Sequence, residues 1–130
     1  MRQQYHSRPV GADTHVWDVY RLVRLSRGLE VQEIPLAQIA ELDENWWYHD
    51  SSQVPTPRAI AEHMALVQAT DLAHPVILCA QGRLMDGMHR VVKAVLEDRT
   101  HIRAVRFGET PKPDFVNVSL DDLPYEDQAI

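Results

Sequence analysis

The apolar residues Val16, Val19, Tyr20 and Val23 recur at helical spacing, and Gly28 follows as a stop, so the pattern predicts a first helix over 14–28. Val31-Gln32-Glu33-Ile34-Pro35-Leu36 reads as a short strand ended by proline, followed by a brief helical turn through Leu36, Ile39, Ala40 and Leu42. The segment 43–57 mixes acids, aromatic residues and breakers and reads as a loop. Thr56 before Pro57 is a helix start, and Ile60, Met64, Val67 and Leu72 continue one apolar side of a helix ending near Asp71. The run 75–80 predicts a buried strand, Gln81-Gly82 its turn, and 83–86 the returning arm of a hairpin. Gly87 then opens a helix with Met88, Val91, Val92, Val95 and Leu96 inward, and 101–107 is the last strand. Beyond Gly108, prolines, the short apolar stretch 115–118 and an acidic end predict chain laid over the surface. This order predicts a mixed α+β domain with helices packed on a small sheet.

A length of 130 residues with 45% apolar composition fits a single domain over 1–130. The N-terminus has no apolar signal region, and no stretch approaches the roughly 18 to 20 apolar residues that span a bilayer. A soluble, cytoplasmic protein with no membrane partner is expected. The single cysteine, Cys79, has no partner for a disulfide or a thiolate metal site, and an apolar strand predicts a reduced, chemically quiet thiol there. The seven histidines show no metal-ligand spacing, so no metal site is expected from them.

The net charge of −6 argues against a protein whose main work is gripping duplex DNA. Its distribution is more informative. Residues 83–106 carry six Arg or Lys against three acids, a focused basic spot on an acidic chain, and such a spot suits a small anion better than a polyanion.

The junction Leu84-Met85-Asp86-Gly87-Met88-His89-Arg90 combines three requirements of an anion site. Glycine permits positive φ or a close backbone approach. The first amides of the helix lack intrahelical partners, and the helix dipole places positive charge there, where a phosphate is a natural guest. His89 and Arg90 add donors, and an arginine can bind phosphate oxygens bidentately. Cations at a helix N-terminus oppose its dipole, so without an anion this arrangement is locally unfavourable. The competing reading has Asp86 as a plain N-cap, His89 packed on the sheet and Arg90 reaching solvent.

The segments Val76-Ile77-Leu78, Gly82-Arg83-Leu84-Met85-Asp86-Gly87-Met88-His89-Arg90, Ala94 and Ile102-Arg103-Ala104-Val105 together resemble the strand, hairpin, motif helix and closing strand of ParB-like N-terminal domains. Upstream, 31–39 resembles their opening strand. The resemblance to the ParB/sulfiredoxin-like superfamily covers about 31–107, with the helix 14–28 outside the family core. It implies nucleotide phosphates held by Gly87, Met88, His89 and Arg90, with ATP, ADP or CTP as the nucleotide and Mg2+ accompanying it. Sulfiredoxins carry a catalytic cysteine where this chain has Met88, so sulfinic acid reduction is not expected. The Gly-Glu-Arg-Arg type motif and helix-turn-helix domain of the partition proteins do not occur in this sequence either. The Asp-Gly-x-His-Arg pattern is closest to free-serine kinases and to members labelled ParB-like nucleases.

In a phosphotransferase or nucleotide hydrolase of this kind, a carboxylate would receive the acceptor's proton, and the candidates are Asp86 and Glu44, with Asp43 or Glu41 as substitutes for the latter. Glu44 also reads as an ordinary solvated loop acid. Trp46 and Trp47 are candidates for contact with a base or substrate, or else divide between the core and an oligomer contact. Two function classes follow: a small nucleotide-dependent enzyme, and a nucleotide or phosphate sensor without turnover, conceivable as a homodimer. Nuclease activity is the family possibility least compatible with the acidic charge.

Overall fold

A computed structural model describes residues 3–48 and 53–124; part of the predicted loop, 49–52, and the acidic end beyond 124 lie outside the described residues. The chain forms an α+β domain of two small sheets and three α-helices. Strands β1 (Tyr5–Val10), β2 (Asp13–Asp18) and β7 (Phe115–Val116) make one antiparallel sheet in the order β1-β2-β7. Strands β3 (Gln32–Pro35), β4 (Val76–Leu78), β5 (Leu84–Asp86) and β6 (His101–Arg106) make the other, in the order β3-β6-β4-β5. Only the β4–β6 pair is parallel.

The first helix departs from expectation. Thr14 to Asp18 belong to β2, and α1 covers only Val19–Ser26, with Asp18 as N-cap accepting from Tyr20 N at 2.9 Å. The hairpin to β1 turns at Gly11, whose φ of +61° glycine accepts without strain. The tail beyond Gly108 also does more than cover the surface. Phe115–Val116 pairs with His15 and Val16, and Asn117 clamps the edge by accepting from Thr14 N and donating to Asp13. A helical period in 16–23 was thus overruled by two distant partner segments that satisfy the strand's backbone groups.

The second sheet is buried on both faces, which is why 76–80 is continuously apolar. Val76, Leu78 and Leu84 point to one side, with Met88, Val91 and Ala94 of α3 (Met88–Leu96), Ile102 and Ala104. Ile77, Cys79 and Met85 point to the other, with Trp17, Leu22, Val105 and Phe107. The face of α3 that meets the sheet is therefore 88, 91 and 94; Val95 and Leu96, expected inward, are exposed. Ala94 carries no bulk beyond Cβ and lets the helix lie close.

Helix α2 (Pro57–Ala69) begins at Thr56, whose Oγ1 accepts from Ala59 N at 3.1 Å, as the Thr-Pro signal requires. It packs along α3, and Lys93 donates to the carbonyls of Gln68 and Thr70 at its C-terminal end, where a cation complements the dipole. The turn preceding α2 in sequence is a pair of 3-10 segments, Leu36–Gln38 and Ala40–Asp43. No helix among the described residues is long and apolar enough to cross a membrane.

Candidate functional site

β5 delivers Asp86 to the top of the sheet and Gly87 reverses the chain into α3. Gly87 is the N-cap of α3 at φ +113°, and no side chain caps the helix. A Cβ here would lie 2.6 Å from Val76 Cγ1 and 2.9 Å from Arg90 Nη2, so the position requires glycine both for its backbone and for its space. Met88, His89 and Arg90 supply the first-turn amides. Met88 itself is buried in the core, so it contributes its backbone.

Asp86 is not the N-cap. Its Oδ2 accepts from Arg90 Nη2 at 3.0 Å, and both side chains are 18% exposed. Arg90 Nη2 also lies 3.4 Å from Pro75 O, while its Nε is buried without a partner among the described residues. The dipole conflict anticipated for Arg90 is thus offset by a carboxylate four residues earlier, and one polar atom of the guanidinium remains to be satisfied.

His89 leaves the helix sideways. Its Nε2 lies 3.0 Å from Nδ1 of His63 on α2. Trp47 stacks on both imidazoles, at centroid distances of 4.0 Å to His63 and 5.1 Å to His89, and Tyr48 meets His63 edge-on at 5.8 Å. Burial lowers the pKa of His63, against a smaller raising effect of Glu62. For His89 burial again leads, followed by His63; Asp86 raises it and Arg90 lowers it further. The pair is therefore neutral at pH 7, with one ring donating and the other accepting.

The adjacent tryptophans diverge. Trp47 is at the turn, whereas Trp46 stacks on His6 of β1 at 5.6 Å, and His6 is sandwiched on its other side by Trp17 at 5.7 Å. Both tryptophans are partly buried against the core. Glu44 is not brought to the turn. Arg83 Nη2 donates to it at 2.8 Å, and Arg83 precedes β5 whereas Asp86 ends it. Asp43 is exposed, and Glu41 is an anchor: buried, accepting from Leu84 N at 2.7 Å, with Arg83 Nε 3.6 Å away.

A second polar cluster lies under β1. Arg8 donates from Nε to His6 Nε2 at 3.2 Å and from Nη1 to Cys79 Sγ at 3.5 Å, with its guanidinium over Trp17. His6 is pushed down to about 3 by burial, then by the charges of Arg8 and Arg83. The expected cation-free surroundings of Cys79 are not what the fold builds. Burial raises its thiol pKa, but the Arg8 bond, contacts with the Arg83 and Gln81 backbone and the Arg8 charge outweigh it and leave it lowered. Cys79 lies just past the end of β4 and is buried.

Sequence spacing did not find His63, His6 or Arg8, because each reaches its partner across the fold; His63 and His89 are 26 residues apart. The described residues hold no group of three or more His, Cys, Asp or Glu placed for a metal ion. A shallow cavity of about 320 Å3 lies elsewhere, at the C-terminal end of α3, lined by Thr70, Asp71, Leu72, Lys93, Glu97 and Arg99. In comparisons with known proteins, no family model, no curated protein and no solved structure matches this chain.

Proposed function

We propose that the chain is a ParB/sulfiredoxin-like domain that binds a phosphate-bearing ligand, a nucleotide such as ATP, ADP or CTP, at the 86–90 turn. The observation that carries this reading is the N-terminus of α3. It is an uncapped helix start behind a glycine, with His89 and Arg90 on its first turn. The Arg90 guanidinium, held beside the turn by Asp86, supplies a second group with donors suited to a guest with acceptor oxygens. The order β4, β5, α3, β6 matches the strand, hairpin, motif helix and closing strand on which the resemblance rests. Phosphates would meet the amides of 87–90 and the side chains of His89 and Arg90, and Mg2+ would arrive on the phosphates. Trp47, stacked against His89, would be the aromatic ring available to a base or sugar beside them.

Binding without turnover fits this arrangement better than phosphoryl transfer. Asp86 is engaged by Arg90 and Glu44 by Arg83, so the two leading candidate bases each already accept from an arginine. Thermal unfolding of the purified chain with ATP, ADP, CTP and inorganic phosphate, each with and without Mg2+, tests the reading. A ligand that binds the native state alone raises the transition in a concentration-dependent way, and a transition that none of them moves at millimolar levels overturns it.

A further inference from the structure

His63 carries no role in the binding reading above, yet it is the residue that fixes His89. Its Nδ1 lies 3.0 Å from His89 Nε2, and Trp47 lies flat against both rings. Two neutral imidazoles make this contact with one N–H and one lone pair. One added proton keeps the contact and makes it charge-assisted, which strengthens it. A second added proton would place two N–H groups head to head and break it. The pair is built to hold either no added proton or one.

The surrounding charges set which state is present. From α2, Glu62 faces His63; from β5, Asp86 faces His89; and from α3 itself Arg90 opposes charging of His89, as does the positive end of the helix. The 43–48 segment contributes the rings of Trp47 and Tyr48 on this side. Desolvation keeps both rings neutral near pH 7. An anion at the α3 N-terminus reverses this balance, because it cancels the helix-end charge within reach of His89.

We propose that His63 and His89 form one proton-accepting pair that becomes charged when an anion docks at the 86–90 turn, so that binding carries a proton onto the protein. The inference rests on the binding reading and makes the site selective for strongly charged oxyanions over neutral or singly charged groups. His63 is then a positioning residue: it holds the His89 ring and shares its proton. By linkage, an anion that draws a proton onto the pair must itself bind more tightly as pH falls toward the unliganded pair's own titration.

Sulfate is the probe, since it does not titrate near neutral pH and any proton taken up belongs to the protein. Calorimetry at pH 7 in buffers of differing ionisation enthalpy should show net proton uptake on sulfate binding. Affinity should rise from pH 8 to pH 6, by up to about a hundredfold, the limit for coupling to one proton over two pH units. In the same titration, the imidazole resonances of His63 and His89 should move together toward the protonated state. In His63→Gln, which keeps a side chain able to hydrogen-bond His89, sulfate should still bind but the uptake and the pH dependence should shrink. Sulfate binding with no proton uptake and equal affinity at pH 6 and 8 overturns the inference and leaves the binding site standing. No heat and no amide shift at 87–90 with either sulfate or inorganic phosphate, at any pH in this range, overturns the binding reading and this inference with it.

Discussion

Arg90 Nη2 lies 3.0 Å from Asp86 Oδ2, one helical turn away across Gly87, with both side chains mostly buried. The contact ties the last residue of β5 to the first turn of α3 and holds the guanidinium where an anion at the free amides would meet it. Arg90→Ala leaves Asp86 without its cation, and we expect a loss of about 1 to 3 kcal/mol of stability together with loss of phosphate binding. Asp86→Ala in that background should recover part of the stability but none of the binding. Urea unfolding of the two single variants and the double variant checks this; additive single effects would mean that the pair is not coupled.

Gly87→Ala should destabilise the fold by roughly 2 to 4 kcal/mol, since it combines strain at φ +113° with a Cβ 2.6 Å from Val76 Cγ1. The companion change Val76→Ala removes the clashing methyl groups but not the backbone strain. In the double variant it should therefore cost less than the sum of the two singles, as chemical denaturation will show.

The far end of α3 carries a stabilising opportunity. Asp98 takes φ +57° just past the helix, with its own amide donating to Val95 O and that of Arg99 to Ala94 O, the pairing of a Schellman motif that usually has glycine in this place. Its negative charge also faces the negative end of the dipole. Asp98→Gly is expected to stabilise by about 0.5 to 1 kcal/mol, read as a higher denaturation midpoint. A lower midpoint would show that the Asp98 side chain contributes a contact of its own.

Acid should weaken the fold from about pH 6.5 downward. His6, His63 and His89 all have native pKa values below their ordinary 6.5, with His6 at about 3. The unfolded chain therefore binds more protons than the native one in that window. Stability is complete above about pH 6.5 and is lost progressively as pH falls toward each native value. For buried His6 alone the loss between pH 6.5 and 5 is on the order of 2 kcal/mol. Urea midpoints at pH 7.5 and 5 measure it, and equal midpoints would contradict the burial of these rings.

The Cys79 thiol should titrate below its ordinary range, and Arg8→Ala should move it upward, because the guanidinium bond and charge are what outweigh its burial. The Cβ resonance of Cys79 followed across pH reports this directly; an unchanged titration in Arg8→Ala would assign the lowering to the backbone contacts instead.

The parts of the fold that were legible in the sequence are those fixed by neighbours in the chain. Thr56-Pro57 opened α2 where it begins, the apolar run and Gln81-Gly82 marked the β4–β5 hairpin, and Gly87 marked the start of α3. What local pattern does not encode is which distant segment claims a stretch. Residues 14–18 open the helical spacing of Val16, Val19, Tyr20 and Val23, yet they are taken as a strand by 5–10 on one edge and 115–116 on the other. Val95 and Leu96 fit an inward stripe as well as Ala94 does, and only the closeness of the sheet selects 88, 91 and 94. The same division holds for the site. The 86–90 turn is written contiguously, whereas the contact of His63 with His89, the divergence of Trp46 from Trp47, and the pairing of Glu44 with Arg83 arise from tertiary placement.

The central claim is that the free amides of the α3 N-terminus bind phosphate oxygens, and a 15N-resolved titration of the backbone with ADP and Mg2+ tests it most directly. The account predicts saturable shifts largest at Gly87, Met88, His89 and Arg90, accompanied by the indole N–H of Trp47 and absent in Arg90→Ala. Saturable shifts confined to other residues, or none at millimolar ADP, inorganic phosphate and CTP alike, would contradict it.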